Sequence, residues 1–217
     1  MNPFSQIFKY FTVSMIFGLI GLIIGNMFIS TSVVYMANKV VSIMMILILI
    51  LALCSRKGMI PRRFSMNFVY LFTFIQGVLL YPTINYYLYD LGVGMVLSIL
   101  ISTILIFGAL SIYAKNNETS SVLNYGKILI FILLGVIIGT VVNIFLGSSL
   151  LSILVSILGV LVFSIYIIYD INLIKRDIQH SIISDKNDLS YHVLNLYIDF
   201  INLLLDLLNL ASRLKNN

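Results

Sequence analysis

Seven stretches of mostly apolar residues follow one another along the chain, and a helix needs about 20 such residues to cross a bilayer. They fall at 11–29, 34–54, 64–86, 92–114, 128–145, 150–171 and 191–210. The runs are continuous, without the alternation of a barrel strand, so helical spans are predicted and a membrane β-barrel is not. Of the 217 residues, 60% are hydrophobic and 10% charged. A soluble domain carries about 25% charged residues, so a water-soluble globule, a disordered chain and a disulfide scaffold are all excluded. Only 115–127 and 175–190 are polar enough to be substantial loops. The sequence predicts an all-α, polytopic membrane protein with residues 1–217 forming one seven-helix bundle.

Charge gives an orientation. Counting Lys and Arg by connection, one side of a seven-span protein collects ten and the other three. Positive loops stay inside, so the N-terminus is expected in the cytoplasm and the C-terminus outside. A re-entrant last segment would return the C-terminus inside. The net charge of +5 lies mostly between apolar runs, which points to topology and anionic membrane lipid, not nucleic acid. Lys9 precedes the first run and no small-residue cleavage site follows it, so that run is read as an uncleaved span. Gly18, Gly21 and Gly25, and again Gly135 and Gly139, have the spacing of close helix contacts. Pro82 removes a backbone donor late in the third span and is expected to kink it.

Charge within a span costs about 2.5–3.5 kcal/mol per residue on insertion scales, so each instance wants a reason. Asp90, Glu118, Asp177, Asp185 and Asp188 fall in or near connections and are read as solvated. Asp170, Asp199 and Asp206 fall within spans. If the sixth helix runs to Gln179 and the seventh begins at Ser190, Asp170 and Asp199 each lie nine residues from the hairpin. At 1.5 Å per residue both sit about 13 Å below the loop. Two carboxylates at one depth in low dielectric cannot both ionise cheaply and tend to share a proton. Such a pair serves as a pH sensor, a cation site or an acid–base couple.

The last span also carries His192, Asn195, Asp199, Asn202, Asp206 and Asn209 at spacings of 3, 4, 3, 4 and 3. That pattern is one polar stripe on an apolar helix. Two readings stand: asparagines bonding to neighbouring helices, or a polar path through the bundle with Asn195, Asn202 and Asp206 along it. Arg56, closing the second span, either snorkels to headgroups or turns inward to a carboxylate. His180 and His192 lie near loops and have no second His or Cys at metal spacing. No Ser–His–Asp set, P-loop or Rossmann fingerprint is present, and no enzymatic activity and no cofactor are expected.

At the hairpin, Phe163-Ser164-Ile165-Tyr166-Ile167-Ile168-Tyr169-Asp170 and Leu194-Asn195-Leu196-Tyr197-Ile198-Asp199-Phe200-Ile201-Asn202-Leu203 resemble the last two span motifs of the Bax inhibitor-1 family. Gly77-Val78-Leu79-Leu80-Tyr81-Pro82 is similar to that family's third-span motif. The resemblance covers nearly the whole chain. It implies a bundle with the last helix central, and a pH-sensitive calcium leak governed by an aspartate pair, here Asp170 and Asp199. These would be the transient calcium ligands, with Arg56 as counter-ion, or Arg62 or Arg63 in its place. It also implies a bacterial cell membrane, with calcium and protons as the partners. Some family members carry an acidic residue within the second span, where this chain has Ser42-Ile43-Met44-Met45. Three other functions remain open, one of them a partner-binding regulator without transport. A proton-coupled transporter would use the same pair, although no internal repeat is visible. An intramembrane aspartyl protease would match Tyr169-Asp170, but Leu196-Tyr197-Ile198 before Asp199 lacks the Gly-x-Gly of its second motif.

Overall fold

The computed structural model describes residues 3–28, 30, 46–47, 49–55, 57–59, 63–117 and 119–216. Among them are six helices long and apolar enough to span a membrane. They are α1 (Pro3–Phe28), α2 (Met66–Leu91), α3 (Val93–Asn116), α4 (Gly126–Leu146), α5 (Ser149–Gln179) and α6 (Ser190–Lys215). A 3₁₀ turn, Ser120–Tyr125, leads into α4. No strand occurs among the described residues. In hydrocarbon every backbone amide must be bonded within its own segment, and an unbroken helix does this. Most of the second apolar run, with Lys39 and Ser42-Ile43-Met44-Met45, lies outside the described residues, as do Arg56, Arg62 and Glu118. Residues 49–55 are helical and bury Leu49, Ala52 and Ser55.

Helix ends follow from local chemistry. The Ser65 hydroxyl accepts the Asn67 amide at 3.3 Å to start α2, and the Ser148 hydroxyl accepts the Leu151 amide at 3.2 Å to start α5. Gly92 is the single residue between α2 and α3, at φ 84°. Gly147 ends α4 at φ 60°, and both are left-handed positions that suit glycine. Several helices outrun their apolar cores. α1 begins at Pro3 where the hydropathy run begins at 11, and α5 continues through Asp177 to Gln179. Polar residues at a membrane surface cost nothing in a helix, so hydropathy marks the hydrocarbon and not the helix.

Among the described residues α6 lies at the centre, packing against α1, α2, α3 and α5, while α4 packs only on α5 and the 3₁₀ turn. In its apolar core 83% of α6 is buried, against 17–44% for the other five helices. The outer helices turn residues such as Leu105, Phe131 and Phe145 outward, where lipid is their solvent. The most extensive outer contact is α1 on α2. A Cβ at Gly77 would lie 2.0 Å from the Gly18 carbonyl oxygen, so the two backbones touch, as the glycine spacing predicts. The Gly135/Gly139 repeat is only half used. A Cβ at Gly139 would meet the Val155 side chain at 2.8 Å, but one at Gly135 would meet nothing within 4 Å.

Candidate functional site

The α5–α6 hairpin sets the geometry of the polar site. α5 ends at Gln179 and α6 begins at Ser190. Near the turn, His192 Nε2 lies 3.4 Å from Asp177 Oδ2, and this contact fixes how the two antiparallel helices are aligned. Asp170 lies seven residues before Asp177, and Asp199 lies seven after His192. Seven residues make about 10.5 Å of helix, so the two aspartates descend to one level. Both are buried, Asp170 at 1% exposure and Asp199 at 0%.

The stripe residues do different things. The Ser55 hydroxyl donates to Asn195 Oδ1, and the Tyr191 hydroxyl donates to the Ser55 carbonyl at 3.3 Å. These bonds seat the end of the second apolar run on α6 one turn before Asp199. Asn202 Nδ2 donates to its own helix, at the Ile198 carbonyl, over 2.9 Å. Asn209 Nδ2 donates to Ser156 Oγ at 2.7 Å and Ser152 Oγ at 3.1 Å. Asp206 is 2% exposed and presses on the α5 backbone at Gly159, where a Cβ would fall 2.1 Å from Oδ2. That oxygen has no hydrogen-bond partner among the described residues. The stripe is therefore not one polar face opposite a lipid face: Leu203, Leu205 and Leu208 are buried as fully.

Above the aspartates, at the hairpin end, the connections are clasped together. Arg63 pairs with Asp185 at 2.5 Å and with Asp188 at 3.2 Å. The Met66 amide donates to Asn187 Oδ1 and the Phe64 amide to Ser190 Oγ, at 3.2 and 3.1 Å. Amide donation from Ser184 and Asp185 holds the Asp188 carboxyl below the usual carboxylate range, with Arg63 adding to the effect against a small opposing burial term. Beneath the clasp is a cavity of about 110 Å³ lined by Arg63, Asp177, Asp188, Tyr191 and His192 among others.

Three sequence expectations are corrected. Asp177 is buried against His192 and Arg176, because α5 continues past its apolar run. Asp90 belongs to α2 and is half-buried, accepting from Ser212 of α6 and from Asn216 just past its end. Arg63 is committed to Asp185 and Asp188, which removes it as a counter-ion for the aspartate pair. The missed Asp177–His192 contact had a signal, since each residue stands seven positions from a member of the pair. Among the described residues no three His, Cys, Asp or Glu side chains converge as a metal site.

The chain matches the sequence profile of the family described as inhibitor of apoptosis-promoting Bax1 over residues 4–217. It is 28% identical over 214 residues to an uncharacterized protein of Campylobacter jejuni, covering 95% of this chain and 86% of the relative. It is 26% identical over 205 residues to an uncharacterized protein of Helicobacter pylori strain J99, covering 94% and 84%. An uncharacterized membrane protein of Streptococcus pyogenes is 34% identical over 116 residues, 52% of this chain and 49% of the relative.

Proposed function

The chain belongs to the Bax inhibitor-1 family, and on that premise we propose that it is a pH-sensitive calcium leak of the cell membrane, controlled by Asp170 and Asp199. The observation that carries this reading is the hairpin alignment, which brings two buried carboxylates, Asp170 on α5 and Asp199 on the central α6, to one level. Calcium takes six to eight oxygen ligands. Asp170, Asp199, Asn195 and Asn202 supply some transiently and water the rest, as suits a site that must release its ion. The protein conducts and does not catalyse. Arg56 is the counter-ion in this reading. Ser55, its neighbour in sequence, is held on Asn195, one turn from Asp199, which favours Arg56 over the loop-bound Arg63.

Deprotonated, the aspartate pair holds the Arg56 guanidinium and keeps the path shut. Acid neutralises the pair, releases Arg56 and raises flux. The N-terminus is cytoplasmic and the C-terminus outside, following the charge bias. Calcium flux into liposomes containing only this protein, measured against pH, tests the function. Absence of flux at every pH refutes it. A tag after Asn217 should react with an impermeant reagent applied to whole cells, and a tag within 184–187 should not. Labelling of both from one side contradicts the orientation.

A further inference from the structure

We propose that a groove between the start of α1 and the end of α3 binds one anionic phospholipid, with an acyl chain between the helices and the phosphate on Lys115. The groove arises because the backbones of α1 and α3 stand apart and meet only through side chains. They are bridged at depth, where Phe11 and Phe107 stack at 5.0 Å and 10°. Phe200 of α6 closes the floor, 6.2 Å from Phe11 and 5.7 Å from Phe107. Above this aromatic floor is a cavity of about 430 Å³, a volume within the range of about 300–1,000 Å³ typical of small-molecule sites.

One face of α3 builds the wall. Gly108, Ser111, Ile112 and Lys115 fall at i, i+3, i+4 and i+7, and Phe4, Ser5 and Phe8 of α1 stand opposite. Gly108 leaves the space for a chain, since a Cβ there would meet nothing within 4 Å. Ser111 supplies an independent sign of a ligand. Elsewhere on α3, Ser98, Ser102 and Thr103 turn their hydroxyls back to the carbonyl four residues earlier. Ser111 is 3% exposed, lines the groove, and has no hydrogen-bond partner among the described residues. A buried hydroxyl left in that state lacks an acceptor that a lipid ester or phosphate oxygen provides.

The charges select the headgroup. Lys115 Nζ sits 5.1 Å from the Phe4 ring centroid at the groove's mouth, and none of the described lining residues is acidic. Lys175 Nζ adds a second ammonium at this helix end, donating to the Ala114 and Asn117 carbonyls at 3.1 and 2.9 Å. The groove opens beside exposed Leu105, Ile112 and Tyr113, which face hydrocarbon, so the ligand arrives from the bilayer. Lipid with a negative headgroup meets both conditions at once.

Native mass spectrometry of the full-length protein, titrated with phosphatidylglycerol and with phosphatidylcholine of the same chains, tests this. The wild-type protein should retain one phosphatidylglycerol about tenfold more strongly than phosphatidylcholine. Gly108→Leu, whose Cβ meets nothing within 4 Å, projects a side chain into the groove and should weaken both lipids about tenfold. Lys115→Ala, at an exposed position that does not endanger folding, should remove the headgroup preference while keeping chain binding. Equal retention of the two lipids by the wild-type protein, or unchanged preference in Lys115→Ala, overturns the headgroup assignment. Undiminished binding to a folded Gly108→Leu protein overturns the groove.

Discussion

The two halves of α6 each bury an aspartate, and they do so differently. At the hairpin half, Asp199 is level with Asp170, and polar groups from the neighbouring segments meet polar groups: Ser55 with Asn195, Asp177 with His192, Arg63 with the loop. At the other half, Asp206 faces a glycine backbone, and the helix end is fastened to α2 through Asp90. A polar stripe of even spacing thus conceals two kinds of construction. In the mechanism proposed above, one half sets two carboxylates at one level and switches on a proton. The other makes room for a carboxylate by omitting a side chain. Function is placed in the first half because pairing, not burial alone, creates a second state of similar free energy.

Gly159 should be the most sensitive point of the second half. Gly159→Ala places a methyl where Asp206 now lies, and overpacking of this kind costs about 1–3 kcal/mol. At about 2–4 °C per kcal/mol for a chain of this size, thermal unfolding in detergent should fall by several degrees. Gly135→Ala, with open space at its Cβ, should leave the midpoint unchanged or slightly raised. Equal effects at the two glycines would show that Asp206 is free to move and that the contrast between the halves is false.

Asn202 lies between the two aspartates of α6. Replacing it by Leu should lower calcium flux more than Leu207→Ala does, in protein of equal yield. Leu207 is the better control because it is only partly buried, whereas Leu203→Ala would open a core cavity costing about 2–5 kcal/mol. The interhelical hydrogen-bond scale of about 0.6–2 kcal/mol bounds the effect of Asn202→Leu on stability itself. Equal flux in the two variants would assign the stripe to packing.

The smallest effect concerns the clasp. The Asp188 carboxyl lies below its ordinary range in the folded protein, so its contribution is complete above about pH 4. It is lost as pH falls through the lower folded value. The residue is near the surface, so about 0.2–1 kcal/mol is at stake. Hydrogen exchange of the 184–188 amides should therefore quicken below pH 4 relative to the intrinsic rate. Asp188→Asn should show the quickened rate already at pH 6. An unchanged rate in that variant would remove Asp188 from the clasp.

Much of this arrangement is legible in the sequence. The polar stretch after Asp170 marks the hairpin, and counting from Gln179 and Ser190 puts Asp170 and Asp199 at one depth. The all-round burial of α6 is legible only through the family resemblance, because periodicity reports polarity and a central helix has apolar neighbours on every side. The Asp177–His192 contact escaped because hydropathy stops where the hydrocarbon does, while the helix continues. Arg63 looked available to the aspartate pair because sequence distance hid Asp185 and Asp188, which lie more than 120 residues away and take it first.

The central claim is that Asp170 and Asp199 act as one titrating unit. Its most direct test is calcium flux in liposomes between about pH 6 and pH 8 for the wild-type protein, Asp170→Asn and Asp199→Asn. The account predicts that acid raises wild-type flux and that either substitution alone flattens the profile, since each removes a titrating site and the repulsion between the two. Arg56→Ala should leak more than wild type at the alkaline end. Wild-type profiles with an unchanged midpoint in both aspartate variants would contradict the account.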